Sequence, residues 1–434
     1  MIPAMRVLLT GATGLIGGAI ARELLLRGHQ LVCAVRDPAR LRLGDQANAF
    51  AVDLSFVPDA EWWRPHLERV DAVVNAVGIL RETPGQRFEA LHHRAPAELF
   101  RACAEAGVRC VVQVSALGAD AQAATAYHLS KRAADDVLRS LPLRGAVVQP
   151  SLVFSPEGAS SGLFMGLATA PVLMLPAGGT MPVQPVHLDD VVAGVVDLLE
   201  APPAVMSTVA FVGPQPTTLR AYLAGLRGQL GLGRESWVGT LPESLFRIGA
   251  RLAGRVPGSP LDDDTATMLL AGNAAPAADF ERLLGRPPRD ASAFIEPRFS
   301  AALRAQAVLG WARPLLRLAL AFLWLWTALV SLGLYPVERS YELLAQVGLQ
   351  GGFATFALYA AAALDLLLGV LTLWAPARWR WWVWPAQLAL VAGYTVLITL
   401  FLPGYWLHPY GPISKNLPIM GVIALLWALE PKRR

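Results

Sequence analysis

Apolar positions follow two regimes along this chain. From Met5 to about residue 300, short valine- and leucine-rich runs alternate with longer amphipathic stretches. Val7 to Leu9, Gln30 to Val35, Asn48 to Val52, Ala72 to Ala76, Arg109 to Ser115 and Gly145 to Gln149 read as strands. Leu15 to Arg27, Phe88 to Ala106 and Tyr127 to Leu141 read as helices. The strands have no polar face, as expected when helices cover both sides of a sheet. Their alternation with helices predicts an α/β fold with a doubly wound parallel sheet. Pro150 to about Ile295 is less regular and reads as a smaller part facing a substrate. Beyond Arg313 the pattern changes. Leu315 to Tyr335, Phe353 to Trp374, Trp381 to Leu402 and Ile413 to Leu429 are apolar runs with almost no polar face. The first three are long enough to span a bilayer, and the fourth is shorter.

The first strand runs straight into Gly11, Gly14 and Gly17, and a helix follows. Glycines at this spacing permit a tight turn, close approach of a pyrophosphate and close packing of helix on strand. The helix start offers N–H groups and a positive dipole end to an anion. The predicted architecture is therefore a Rossmann-type core over residues 1–150 and a substrate-facing region over 151–300. A linker over 301–313 and a four-helix transmembrane bundle over 314–434 complete it. In such sheets ligands sit at the carboxyl ends of the strands. Those ends carry Thr10 to Gly17, Arg36, Asp53 and Leu54, Asn75 to Gly78, Ser115 and Pro150. Thr10, Gly11, Thr13, Gly14, Leu15, Ile16, Gly17, Asn75, Ala76 and Gly78 are the candidate cofactor contacts. Asp53 also reads as the cap of a turn. Arg36 suits the 2′-phosphate of NADP and the neighbouring Asp37 a ribose diol, so NADP(H) is favoured and NAD(H) is the alternative.

Composition narrows the field. Of the 434 residues 54% are hydrophobic and 16% charged, and the net charge is +4. With no long basic run, nucleic acid is not an expected partner. Cys33, Cys103 and Cys110 are odd in number and lack a CxxC pair, which suggests reduced core thiols in a cytosolic compartment. The first apolar run is the first strand itself, so no secretory leader is expected, and Met5 is a candidate start. His187, Asp189 and Asp190 read as a helix start whose acids suit the dipole, and His92 and His93 lack partners at metal-ligand spacing; no metal is expected.

The motifs TGATGLIG, VDL (Val52 to Leu54), NAVG (Asn75 to Gly78), VSALGA (Val114 to Ala119), YHLSK (Tyr127 to Lys131), QPSLVF (Gln149 to Phe154) and PVHLDDV (Pro185 to Val191) resemble the short-chain dehydrogenase/reductase superfamily. The likeness is to its atypical and extended branches, over about residues 5–300. It is nearest the group related to the NDUFA9-type accessory subunit of respiratory complex I, whose relatives include epimerase- and dehydratase-like proteins. The resemblance implies that Tyr127 is an acid/base and that Lys131 lowers its pKa and holds the nicotinamide ribose. It also implies that Ser115 hydrogen-bonds the substrate oxygen and that Asp53 contacts adenine. Tyr127 and Lys131 are one helical turn apart, which also fits an ordinary surface pair.

Arg313 and Arg317, Arg378 and Arg380, and Lys432 to Arg434 flank the apolar runs. By the positive-inside rule they lie in the cytoplasm with the nucleotide domain, which makes the chain an integral protein of a bacterial inner membrane. Trp324, Trp326, Trp374, Trp379, Trp381, Trp382, Trp384 and Trp406 read as interfacial belts. The tail resembles the DoxX-like domain in span count and fusion order. Asp365, an acid deep in a span, reads either as a functional group or as a partner for a neighbouring helix. Three functions follow from the sequence. The first is a membrane-anchored oxidoreductase acting on an apolar or lipid-like molecule, with a quinone among the candidates. The second is a non-catalytic nucleotide-holding assembly or redox-sensing protein. The third is an epimerase or dehydratase that recycles its cofactor.

Overall fold

Alternate residues of the first strand serve two cores. In the computed structural model, which describes residues 3–41, 43, 47–233, 236–255 and 261–430, β1 (Arg6–Thr10) points Val7 and Leu9 to one face and Leu8 to the other. Val7 and Leu9 pack with Ile20 and Leu24 of α1 (Leu15–Leu26) and with Val191 and Val195. Leu8 packs with Trp63, Leu99 and Phe100. Each such fully buried side chain contributes roughly 1.5–3 kcal/mol, so both faces of the sheet are covered. Beside β1 lie β2 (Gln30–Val35) and β4 (Ala72–Asn75), with Val7 opposite both Leu31 and Ala72. β3 (Ala47–Ala51), β5 (Cys110–Val114), β6 (Gly145–Pro150) and the strand Ser207–Phe211 complete seven parallel strands. Their order, from Ser207–Phe211 through β6, β5, β4, β1 and β2 to β3, puts the topological switch at β1.

The helix expected over Phe88 to Ala106 opens as a π-turn, Glu89–Arg94, before the α-helix Ala95–Ala106. Pro96 has no N–H with which to continue the ladder to His92, a known cause of such a bulge. The turn aims His92 inward, where it is fully buried. Residues 151–300 add three two-stranded sheets. They also add their own core around Phe154, Phe164, Leu223 and Phe294.

The chain divides into two units, Met1–Val308 and Leu309–Arg434. Residues 301–313, expected to be a linker, are part of one helix, Ser300–Leu329. Its Ala-, Leu-, Arg- and Gln-rich sequence is strongly helix-forming, and even Pro314 is accommodated within it. In the second unit three helical segments are long and apolar enough to cross a membrane. They are Pro297–Leu334 (which begins in the first unit), Gly351–Trp374 and Ala377–Phe401, with mean hydropathies of 1.9, 2.0 and 1.6. Asn416–Leu429 is apolar and shorter. Only 22%, 28% and 22% of the three windows are buried, so most of their leucine and aromatic surface faces outward. Trp324 and Trp384 do not form belts; both are buried in the interior of this unit, with Leu320, Leu368 and Val391. Gly369 approaches Leu325 closely, where a Cβ would lie 2.8 Å from its side chain. Asp365 is only 4% exposed, and its Oδ1 has no hydrogen-bond partner among the described residues. Gln387 donates to the Thr372 hydroxyl at 2.6 Å. Arg313, Arg380 and the Trp384 indole N–H converge on Glu430, and Arg317 donates to the carbonyls of Thr372 and Leu373. The terminal cluster Lys432 to Arg434 lies outside the described residues.

Candidate functional site

The glycine turn after β1 is shaped by its own backbone. Gly11 has φ +79°, and a Cβ there would lie 2.6 Å from the Ala76 carbonyl oxygen. A Cβ on Gly17 would lie 2.2 Å from the Gly11 carbonyl oxygen. Both positions thus exclude any side chain, one at the β1–β4 crevice and one where α1 meets the turn. Gly14 is different: a Cβ would come no nearer than 3.3 Å, to Gly11 O. It is the N-cap of α1 and supplies no side-chain cap, so the leading N–H groups of that helix are left for an anion.

Above this turn is a cavity of about 290 Å³. Of the residues singled out from sequence, Gly11, Thr13, Gly14, Arg36, Leu54, Ala76 and Gly78 line it. Val35, Val77, Ile79, Gln86 and Leu91 join them. Gln86 closes a tight turn with Thr83, their backbones exchanging two hydrogen bonds. With its amide oxygen toward Arg36, Gln86 accepts from both terminal nitrogens of the guanidinium. The other candidates stand behind this lining. The Thr10 hydroxyl donates to Asn75, whose amide donates to Gln113 at 2.6 Å, so both support the crevice from beneath. Ile16 packs on the core, and Leu15 is 38% exposed at the start of α1. Asp53 Oδ1 accepts from the Ser55 N–H at 2.9 Å and so caps a turn. Pro150 ends β6, and its carbonyl accepts from the Leu117 N–H. A larger open depression of about 560 Å³ lies near Gln184, Pro214 and Ala275. There Gln184 is bonded at both ends of its amide to Gly213 O and Ala275 N–H.

Next to the cavity the ends of β4 and β5 meet the helix Ala126–Ser140, which is capped by Thr125. Lys131 is 3% exposed. Its Nζ donates to the carbonyls of Val77 (2.9 Å) and Val114 (3.1 Å) and lies close beneath Gly78. Burial lowers its pKa to about 8 against the opposing pull of Asp135. Tyr127 is half-buried, its ring edge-on to Phe88, His92 and His128. Desolvation, with Asp135 adding to it, holds the phenol up at about 12. This differs from the expected lowering by Lys131, whose ammonium is engaged by backbone carbonyls. The phenol is therefore a proton donor at neutral pH.

Two residues of this cluster were not singled out from sequence. Ser115 donates to Asp135 Oδ2 at 2.5 Å. Asp135 is fully buried, and its Oδ1 has no hydrogen-bond partner among the described residues. Burial lifts its pKa to about 6, against the Ser115 hydrogen bond and the charges of Lys131 and Arg139. His92 accepts from the Ile79 N–H at 2.9 Å through Nε2, with Nδ1 3.0 Å from the Ser130 hydroxyl. Burial and the Lys131 charge push its pKa down to about 3, so it is a neutral strut for the loop that lines the cavity. One sequence signal pointed to Asp135: it follows Lys131 by one helical turn, on the same inward face. His92 had none, because only the π-turn directs it here. His187 caps its helix by accepting from the Asp189 N–H, and Asp190 binds Arg286 and the Arg289 N–H. Cys33, Cys103 and Cys110 are buried free thiols, and burial raises the pKa of each.

Comparison with known proteins agrees with this geometry. Residues 11–201 match the NAD(P)H-binding family and residues 321–424 the DoxX-like family. The chain is 29% identical over 246 residues to the mouse mitochondrial NADH dehydrogenase [ubiquinone] 1 alpha subcomplex subunit 9, covering 53% of this chain and 65% of that protein. It is 30% identical to a 3-diazoavenalumate denitrifying reductase of Streptomyces, over 45% of this chain and 73% of the relative. It is 29% identical to the ceramide reductase of Caulobacter vibrioides, over 45% and 61%. The chain spans between about half and two thirds of the length of the alpha subcomplex subunits it matches, 65%, 55% and 49%. A nucleoside-diphosphate-sugar epimerase from Staphylococcus aureus shares the fold, with a TM-score of 0.53 at 16% identity over 67% of this chain and 99% of that one. The chain belongs to the NAD(P)H-binding family of Rossmann proteins that includes this reductase of Streptomyces, and its C-terminal part matches the DoxX-like family.

Proposed function

We propose that this protein is a membrane-anchored oxidoreductase that uses NADP(H) in preference to NAD(H) and acts on an apolar or lipid-like substrate, with a quinone among the candidates. The observation that carries this is the meeting of two features. The glycine-lined cavity stands beside Tyr127, Lys131 and Ser115 at the ends of β4 and β5. A nicotinamide dinucleotide fits the side-chain-free turn and the uncapped helix start. Gly11, Thr13, Gly14 and Gly17 would hold its pyrophosphate, Arg36 its 2′-phosphate, and Ala76, Gly78 and Lys131 its nicotinamide side. When bound, it supplies or accepts a hydride.

The remaining chemistry belongs to the chain. Tyr127, neutral at physiological pH, gives a proton to the substrate oxygen and later regains it. Lys131 fixes the Val77 and Val114 carbonyls and supplies positive charge beneath Gly78. Ser115 orients the substrate oxygen. Residues 1–150 hold the nucleotide and 151–300 the substrate. The outward apolar surface of the last unit supports insertion in a bacterial inner membrane, with the nucleotide side in the cytoplasm. The relative named a ceramide reductase supports a lipid-like substrate class.

A second reading has its own support. Ser115 already donates to Asp135, so its proton is not free for a substrate. The mitochondrial relatives are named as NADH dehydrogenase subunits. On this reading the nucleotide is held without turnover. Mass spectrometry of the nucleotide and lipid that co-purify with detergent-extracted protein, followed by oxidation of NADPH with that lipid, decides between the two. Turnover that is lost in Tyr127→Phe while nucleotide binding persists supports the enzyme. Bound nucleotide with no turnover in either protein supports the scaffold.

A further inference from the structure

Strands with one solvated face place polar residues outward. The strand Val172–Pro176 breaks this rule. Leu173 and Leu175 are buried, yet the outward positions are Val172 and Met174, 53% and 48% exposed. Its parallel partner, Trp237–Leu241, sets Trp237 opposite Val172 and Gly239 opposite Met174. Trp237 is 64% exposed. A Cβ on Gly239 would lie 2.5 Å from the Met174 sulfur and 3.0 Å from the Trp237 ring, so the thioether and the indole converge over this glycine.

The next element continues the pattern. The helix Glu243–Gly254 buries only Ala250 and shows Leu245, Ile248 and Leu252 to the outside, each more than half exposed. Their i, i+3, i+7 spacing makes one apolar stripe. Arg247 and Arg251 flank it, paired with Glu243 and with Asp263 of the next helix, and Arg255 follows the last turn. Scattered exposed leucines are ordinary, whereas an apolar strand face followed at once by an apolar helix stripe marks a contact surface.

We propose that this surface of the 151–300 region docks on a lipid bilayer. Tryptophan with leucine and isoleucine on one side and arginines at the margin is the composition of an interfacial helix. Among the described residues the same chain carries three helices long and apolar enough to cross a membrane, which is the reason for committing to a lipid surface as the partner. The surface is also tied to the nucleotide cleft. Arg81, just beyond the cavity-lining Ile79, donates to the Gly254 carbonyl at 3.3 Å and to Asp262 at 2.7 Å. A lipid-like substrate thus has a path from the bilayer along this helix to the Ile79–Arg81 loop. That substrate path rests on the oxidoreductase reading; the docking itself does not.

The test uses the full chain reconstituted in vesicles of phosphatidylethanolamine and phosphatidylglycerol. A nitroxide is attached at Ile248→Cys and, as a solvent control, at the exposed Glu105→Cys; the native thiols are buried. The expected result is protection of position 248 from a water-soluble nickel chelate together with raised collision with oxygen. This corresponds to a depth of ~5–10 Å below the headgroup boundary. Chelate access at 248 equal to that at 105 overturns the proposal. Protection from both probes that grows with the protein-to-lipid ratio also overturns it, in favour of contact between copies. Calorimetry with NADPH on the same labelled proteins shows that they are folded, and its failure would count against the oxidoreductase reading without touching the depth result.

Discussion

Buried polar groups serve opposite ends in the two units. In the nucleotide-binding unit Lys131, Asp135 and Ser115 gather beside an open cavity, with protonation shifted by burial and with one Asp135 oxygen lacking a hydrogen-bond partner among the described residues. In the second unit Glu430 holds Arg313, Arg380 and the Trp384 indole, while Arg317 caps the carbonyl end of Gly351–Trp374. On the oxidoreductase reading the first cluster exchanges protons with a bound molecule. The second directs its hydrogen bonds to protein groups and fastens helix ends together. The distinction is therefore whether the groups' partners lie within the fold, since burial alone is common to both.

Substitution of Tyr127 gives the largest contrast. Tyr127→Phe removes only the proton donor, and turnover should fall by about 10²–10⁴. NADPH affinity and melting temperature should stay at the parent's values. A melting shift comparable to the loss of rate would move Tyr127 into the fastening class and break the comparison.

Asp135 tests the same point by pH. Its folded pKa, about 6, lies above the ordinary 3.8 because burial penalises the charge. Between these values the folded protein holds more protons than the unfolded chain, so stability falls as pH rises through the window. Lys131 and Arg139 oppose the shift, as does the hydrogen bond from Ser115. The loss attributable to this group is at most about 3 kcal/mol. Thermal unfolding of the parent from pH 4 to 7, minus that of Asp135→Asn, should show this fall. Parallel curves would mean that Asp135 is already ionised at pH 4.

Glu430→Gln is the counterpart in the second unit. It leaves Arg313 and Arg380 facing each other without their acid. Removing one member of a fully buried pair costs roughly 3–5 kcal/mol. Here the arginine side chains are 34% and 23% exposed, so about half of that is expected. The measurement is unfolding in detergent. NADPH binding should not change, and a change would show that this cluster acts on the nucleotide.

The legible parts of the sequence were those with local causes. Strand and helix periods, the glycine spacing and the apolar runs follow from neighbouring residues, and the strands from β1 to β6 fall where these patterns put them. The helical state of residues 301–313 is locally encoded too, in a stretch rich in Ala, Leu, Arg and Gln. What escaped depends on distant partners. His92 enters the site through a π-turn forced by Pro96, and Asp135 matters because β5 carries Ser115 to it. Trp324 and Trp384 looked interfacial by position, and only the packing of the second unit buries them. The Val172–Trp237 pairing joins strands far apart in sequence and could not be read from either one.

The smallest effect concerns cofactor choice. Arg36 ends on the cavity wall after β2, and Gln86, held by its turn with Thr83, orients the guanidinium. A guanidinium so fixed recognises a phosphate in two directions at once. Arg36→Ala should weaken NADPH binding about tenfold, ~1.4 kcal/mol, and leave NADH binding unchanged. Gln86→Glu sharpens the point without removing the arginine. Its carboxylate would pair with Arg36, neutralise it and repel the 2′-phosphate, so the NADPH preference should fall as in Arg36→Ala or reverse. Calorimetric titration of both nucleotides into each variant measures this. Equal losses for NADPH and NADH would show that Arg36 shapes the cavity rather than reading the phosphate. That result would place it with the Glu430 cluster, among residues whose charge works only inside the fold.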